Sequence, residues 1–155
     1  MQKLHHVGVM VNDIEAALKT YEKMPGISPL YDIRDLPEFG VRSVVLAGED
    51  SLSYRVELLS PMKEDTETRY QKEARAFLNS KGEGLFYFNI FTDQFDEDVK
   101  GAEDQGFHII VETYKTLFPG YSVRMGFYQP KETHGAWFNL VDTYSVPKSK
   151  GGLAP

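Results

Sequence analysis

The chain has 155 residues, 41% of them hydrophobic, and no cysteine. It can bury a sizeable core in one domain without disulfide staples, and the missing thiols exclude thiolate nucleophiles and cysteine-ligated metals. Seventeen Lys and Arg against twenty-three Asp and Glu give a formal charge of −6 and a pI near 5.2, so there is no basic surplus to displace counterions and nucleic acid is not an expected partner.

The opening Met1-Gln2-Lys3-Leu4-His5-His6 has no uninterrupted apolar leader, and no run approaches the roughly 20 apolar residues of a membrane span. A cytoplasmic protein with no membrane partner is expected. Leu4 to Val11 reads as a buried strand. Asn12 with Glu15 has the form of a capping box, and Ile14, Ala17, Leu18 and Tyr21 recur at helical spacing until Pro25-Gly26 stops the helix. A short strand is expected between Pro29 and Ile33, then strands Val41 to Leu46 and Tyr54 to Leu59 around the turn Gly48-Glu49-Asp50-Ser51. Thr66 to Asn79 carries Tyr70, Ala74 and Phe77 on one face and predicts a second helix, broken by Gly82-Glu83-Gly84. Strand Leu85 to Phe91 and helix Asp93 to Gln105, with Phe95, Val99 and Ala102 inward, repeat the opening order. Strands near Ile109, at Arg124 to Tyr128 and at Ala136 to Val141 follow, and the Lys-, Gly- and Pro-rich stretch 147–155 reads as a flexible tail.

Two pairs of segments echo one another. Leu4-His5-His6-Val7-Gly8-Val9 returns 81 residues later as Leu85-Phe86-Tyr87-Phe88-Asn89-Ile90, and Tyr54 to Ser60 returns at an offset of 82 as Ala136 to Asp142. His6 thereby corresponds to Tyr87, and Glu57 to Asn139. The expected organisation is a single α+β domain over 1–146, made of β-α-β-β-β modules of about 1–62 and 83–146 joined by a helical connector over 63–82. Strand alternation puts Glu57 on the face of Arg55 and Leu59, opposite Val56 and Leu58. A carboxylate among Val and Leu costs several kcal/mol to bury alone, so Glu57 needs a cation, a donor or water. If the two modules close their sheets into one concave surface, His6, Glu57, Tyr87 and Asn139 converge on it.

The plainer readings stand beside this one. His6 could be a core imidazole satisfied by Glu57, and Tyr87 could be strand packing within an aromatic run. His5 is expected on the face opposite His6, His108 and His134 in solvent, and Glu38 in a loop. No glycine pattern suited to cradling phosphate occurs.

Taken in order, several segments resemble the vicinal oxygen chelate superfamily of glyoxalases, bleomycin resistance proteins and dioxygenases, most closely its methylmalonyl-CoA epimerase and glyoxalase I branch. They are Leu4 to Val9 with Asp13-Ile14-Glu15-Ala16-Ala17, Pro37-Glu38-Phe39-Gly40-Val41-Arg42, Val56-Glu57-Leu58-Leu59-Ser60-Pro61, Gly82-Glu83-Gly84-Leu85, and Gln129-Pro130-Lys131 running to Gly135. The resemblance implies paired modules around a U-shaped cleft, a homodimer, and a divalent metal held by one residue from each of four strands. Those positions fall on His6, Glu57, Tyr87, where the epimerase pattern has the second His of a Gly-Leu-His-His run, and Asn139, where it has a Glu. Zinc, cobalt or nickel would want imidazole and carboxylate there, and a phenol and an amide stand instead. No resident cofactor is therefore expected, and His6 with Glu57 offers at most a weak hold on a divalent ion.

Losing the metal removes the main stabiliser of an enolate. What remains is a candidate metal-free site, with Tyr87 donating to a carbonyl or enolate oxygen, His6 or Glu57 as base, and Asn139 as an orienting amide. The residues favour an isomerase or lyase acting beside the carbonyl of a small carboxylic acid or acyl-CoA. The alternative is a non-catalytic, resistance-type binding protein with an aromatic cleft drawing on Phe86, Phe88, Phe127, Tyr128 and Trp137.

Overall fold

The computed structural model describes residues 1–49, 54–118 and 120–146, so the expected tail over 147–155 and part of the turn at 48–51 lie outside the described residues. Among the described residues, nine strands and three α-helices run in the order β1 Gln2–Met10, α1 Ile14–Tyr21, β2 Ile27–Pro29, β3 Arg34–Leu36, β4 Val41–Gly48, β5 Arg55–Pro61, α2 Arg69–Lys81, β6 Gly84–Thr92, α3 Phe95–Asp104, β7 Ile109–Tyr114, β8 Val123–Tyr128 and β9 Trp137–Asp142, followed by a 3-10 turn at Thr143–Ser145. They form two compact units. One is Val7–Phe86; the other joins Met1–His6 to the chain from Tyr87 onward. The architecture is α+β, as the sequence pattern predicts. Among the described residues no helix is long and apolar enough to cross a membrane.

In the unit Val7–Phe86 the strands lie in the order β2-β4-β5-β1, with β3 also on β4; β5 pairs β1 in parallel and β4 antiparallel. The pleat divides β5 as its sequence predicts. Leu58 joins Val44, Leu46, Val11 and Ile14 in a buried cluster, and Val56 with Ala17, Leu18 and Tyr21 of α1 closes around it. Each such side chain contributes about 1.5–3 kcal/mol of burial. The α1 cap is displaced by one residue from the expected box. Asp13 Oδ1 accepts from Ala16 N at 2.9 Å, while the Asn12 N–H donates to Glu83 Oε1 at 2.7 Å and Glu15 turns to Arg42. Instead of one short strand at Pro29 to Ile33, the chain forms β2 and β3 on either side of Tyr31, both docked on β4.

Helix α2 starts at Arg69 because Thr68 caps it, accepting from Gln71 N at 3.1 Å and donating to Phe39 O at 3.0 Å. Its apolar face sets Tyr70 edge-on to Phe39 and Phe86, and Phe77 against Phe86. Gln71, wholly buried, ties down the preceding loop through Met62 O, Glu64 O and Thr66.

The other unit orders its strands β6-β9-β8-β7, with β6 and β9 parallel and the rest antiparallel. Helix α3 packs Phe95 and Val99 over Gly126, where a Cβ would meet both at 3.5 Å. Arg124 anchors the helix start, bonding Asp96 at 3.0 Å and Asp142 at 2.9 Å.

Candidate active site

The pairing of β6 with β9 sets Tyr87 against Trp137 and Asn89 against Asn139, while β8 places Phe127 opposite Asn139. Alternation then puts Tyr87, Asn89, Phe91, Trp137, Asn139 and Phe127 on one face. His6, which belongs to this unit, is hydrogen-bonded there. Its Nε2 lies 2.9 Å from Asn89 Nδ2 and 3.2 Å from Tyr87 Oη, and Asn139 Nδ2 donates to Asn89 Oδ1 at 2.9 Å. All four side chains are buried, Asn139 to 1% exposure, and Asn139 Oδ1 has no partner among the described residues. Three of the predicted site residues, His6, Tyr87 and Asn139, are thus gathered in one unit, with Asn89 as the link between them.

Asn89 was not singled out by sequence reasoning. The signal was available: it is the one amide in an aromatic strand, two positions beyond Tyr87 and so on the same face. His5 corrects an expectation. It stacks on Phe91 with ring centroids 4.0 Å apart and an interplanar angle of 10°, and its Nδ1 lies 2.7 Å from His6 Nδ1. Alternation separates the Cβ directions of His5 and His6, but the stack on Phe91 carries the first ring round to the second.

Glu57 lies in the other unit, 8% exposed, with Val45 opposite it on β4. Ser43 Oγ donates to Glu57 Oε1. Tyr31 stands close by, its phenol pushed well above the usual range by burial and by the Glu57 carboxylate, with Arg34 and Ser43 opposing. Arg34 donates to Tyr31 Oη at 3.4 Å and covers its ring at 4.5 Å. Arg55, on the Glu57 face as alternation predicts, has its guanidinium pKa lowered by burial. This carboxylate has partners of its own, Ser43 on the preceding strand β4 and Tyr31 between β2 and β3, which no local pattern announces.

A divalent ion does not suit the residues around His6. Binding one needs a free imidazole lone pair and anionic oxygens. Here Asn89 occupies the Nε2 position, Tyr87 offers a phenol, and the one unpartnered oxygen is a neutral amide. Among the described residues no three His, Cys, Asp or Glu side chains come together as a metal-binding group.

The aromatic set divides. Phe86 and Phe127 are core residues, at 3% and 0% exposure, so they do not line an open cleft. Phe88 is half-buried and stacks on Phe138 with centroids 5.1 Å apart, and Tyr128 meets Phe107 edge-on. His108 is solvent-facing as expected, its backbone N–H and ring both bonded to Glu132.

Comparison with known proteins agrees with this architecture. The glyoxalase/bleomycin resistance protein/dioxygenase superfamily description matches residues 5–124. The uncharacterized protein YqjC of Bacillus subtilis (strain 168) is 26% identical over 145 residues, 92% of this chain and 93% of its own. Among solved structures, methylmalonyl-CoA epimerase from Mycobacterium tuberculosis superposes with a TM-score of 0.72 at 24% identity, over 94% of this chain and 89% of that one. A Streptomyces coelicolor methylmalonyl-CoA epimerase variant, in complex with 2-nitronate-propionyl-CoA, gives 0.69 at 24% identity over 90% and 96%. Sequence, fold and comparison agree that the chain belongs to the glyoxalase/bleomycin resistance protein/dioxygenase superfamily.

Proposed function

We propose that the protein is an isomerase of the epimerase kind, moving a proton on the carbon beside the carbonyl of a small carboxylic acid or acyl-CoA thioester. The observation that carries this reading is the buried run of Tyr87, His6, Asn89 and Asn139. These buried polar side chains bond one another but leave one buried oxygen, Asn139 Oδ1, without a partner among the described residues, and a ligand would satisfy it. The acyl-CoA compounds bound by the similar epimerases supply the first substrates to try.

In this reading a base takes the proton as the C–H bond breaks, and separate substitution of His6 and of Glu57 tests which of the two it is. The bond pair moves onto the carbonyl oxygen, Tyr87 donates a hydrogen bond to the enolate oxygen, and the protonated base, after exchange with solvent, returns a proton to the carbon. His6 Nε2 lies 3.2 Å from Tyr87 Oη and 2.9 Å from Asn89 Nδ2. The test is exchange in D2O with methylmalonyl-CoA, propionyl-CoA and a panel of small acids, followed by proton NMR. Deuterium should enter at the carbon beside the carbonyl, Tyr87→Phe should slow it about 100-fold or more, and either His6→Gln or Glu57→Gln should stop it. Absence of exchange across the panel, or unchanged rates in all three variants, would overturn the reading. The half-buried Trp137, on the face of Tyr87 and Asn139, favours the second reading, a resistance-type binder, which tight binding without exchange would support.

A further inference from the structure

We infer that Asn89 and Asn139 together lock His6 in the tautomer that carries its proton on Nδ1, which makes Asn89 a positioning residue for the imidazole. The sense of the hydrogen-bond run fixes this. Asn139 Nδ2 donates to Asn89 Oδ1, so Asn89 presents its Nδ2 to the ring. An amide NH2 only donates, so His6 Nε2 must be the acceptor, and a neutral imidazole then holds its proton on Nδ1. His5 Nδ1, 2.7 Å away, is placed to receive it. Tyr87 Oη, at 3.2 Å, is the more distant of the two groups beside the single Nε2 lone pair, which Asn89 Nδ2 fills.

The opposite sense is available only if both amides turn over. His6 Nε2–H would then donate to Asn89 Oδ1 and Asn89 Nδ2 to Asn139 Oδ1, leaving the Asn139 NH2 as the unpartnered end. The observed sense leaves one carbonyl oxygen unpartnered instead. An under-satisfied buried carbonyl is better tolerated than an orphaned donor, so the run is polarised toward the ring. The tautomer of His6 is thereby set two residues away from it, by a side chain that the ring does not touch.

The experiment is long-range 1H–15N correlation on histidine-labelled protein at mildly alkaline pH, where free imidazole is neutral. Substitution of His6 by Gln assigns the resonances. In the native chain His6 Nε2 should resonate in the pyridine-like range and Nδ1 in the pyrrole-like range. In Asn139→Asp the carboxylate can only accept, so Asn89 must turn its Nδ2 toward it and its Oδ1 toward His6; the two ring nitrogens should exchange ranges. Asn89→Asp should produce the same inversion directly, and serves if the first variant does not fold. A protonated Nε2 in the native chain would overturn the inference, as would a tautomer unmoved by the Asp variants. The readout is independent of turnover, so failed deuterium exchange with an intact tautomer would sink the proposed function alone.

Discussion

Replacing Gln71 by Leu removes the staple of the loop that precedes α2 while nearly conserving volume. The carboxamide accepts from Thr66 N at 2.9 Å and Thr66 Oγ1 at 3.0 Å, and donates to Met62 O at 3.2 Å and Glu64 O at 2.8 Å. The two carbonyls keep Arg75, whose Nη2 lies 3.0 Å and 3.4 Å from them, and Thr66 Oγ1 keeps Thr68. The Thr66 N–H loses its partner. One orphaned donor costs about 1–3 kcal/mol and each lost but replaced bond about 0.5–1.5, against which the Leu side chain returns about 1 kcal/mol of apolar burial. The net loss should be about 2–6 kcal/mol, or about 5–20 °C in Tm for a chain of this size. Urea unfolding followed by circular dichroism measures the loss, and hydrogen exchange at the Thr66 amide reports its cause. A stability within about 0.5 kcal/mol of the native chain, or a Thr66 amide that stays protected, would refute the reasoning.

Gly40→Ala should be as damaging, since at φ +68° a Cβ would sit 2.2 Å from Thr66 Oγ1 and 2.7 Å from Gln71 Cβ; a loss of about 2–4 kcal/mol is expected in the same urea assay. Glu132 is held below the usual carboxylate range first by the His108 backbone N–H and then by its ring, so His108→Ala should remove only part of the lowering in an NMR titration. Arg42→Ala should let the Glu15 carboxyl rise toward its ordinary value, because the Arg42 hydrogen bond is the main cause of its lowering. A lowered carboxylate pKa stabilises the fold above the ordinary value and ceases to as pH falls through the lowered one. The stability gap between native and Arg42→Ala chains should therefore be present at neutral pH and close in acid.

The strands and helices were legible wherever side-chain period met burial, as in Val56 and Leu58 against Glu57, or Phe95, Val99 and Ala102 on α3. The internal repeat marked His6, Tyr87 and Asn139, because equivalent positions in duplicated strands take equivalent faces. What periodicity does not encode is partnership at a distance. Asn89 reaches an imidazole 83 residues earlier, and His5 leaves its alternation face for a ring 86 residues later. The grouping around Glu57 is hidden for the same reason, since Tyr31 and Ser43 read locally as a loop residue and an unremarkable strand position. The cap at Asp13 rather than Asn12 was decided by Glu83, which takes the Asn12 N–H from outside the helix.

The division between His6 and Val7 falls inside a single strand, so the opening hexapeptide keeps company with sequence that emerges from the ribosome more than eighty residues later. A nick in the connector around residue 65 would not liberate a self-sufficient carboxy-terminal piece; that piece would be missing the imidazole to which its own Asn89 is bonded. Supplying the hexapeptide in trans, or grafting it ahead of Tyr87 in a permuted chain, is the way to make that half whole.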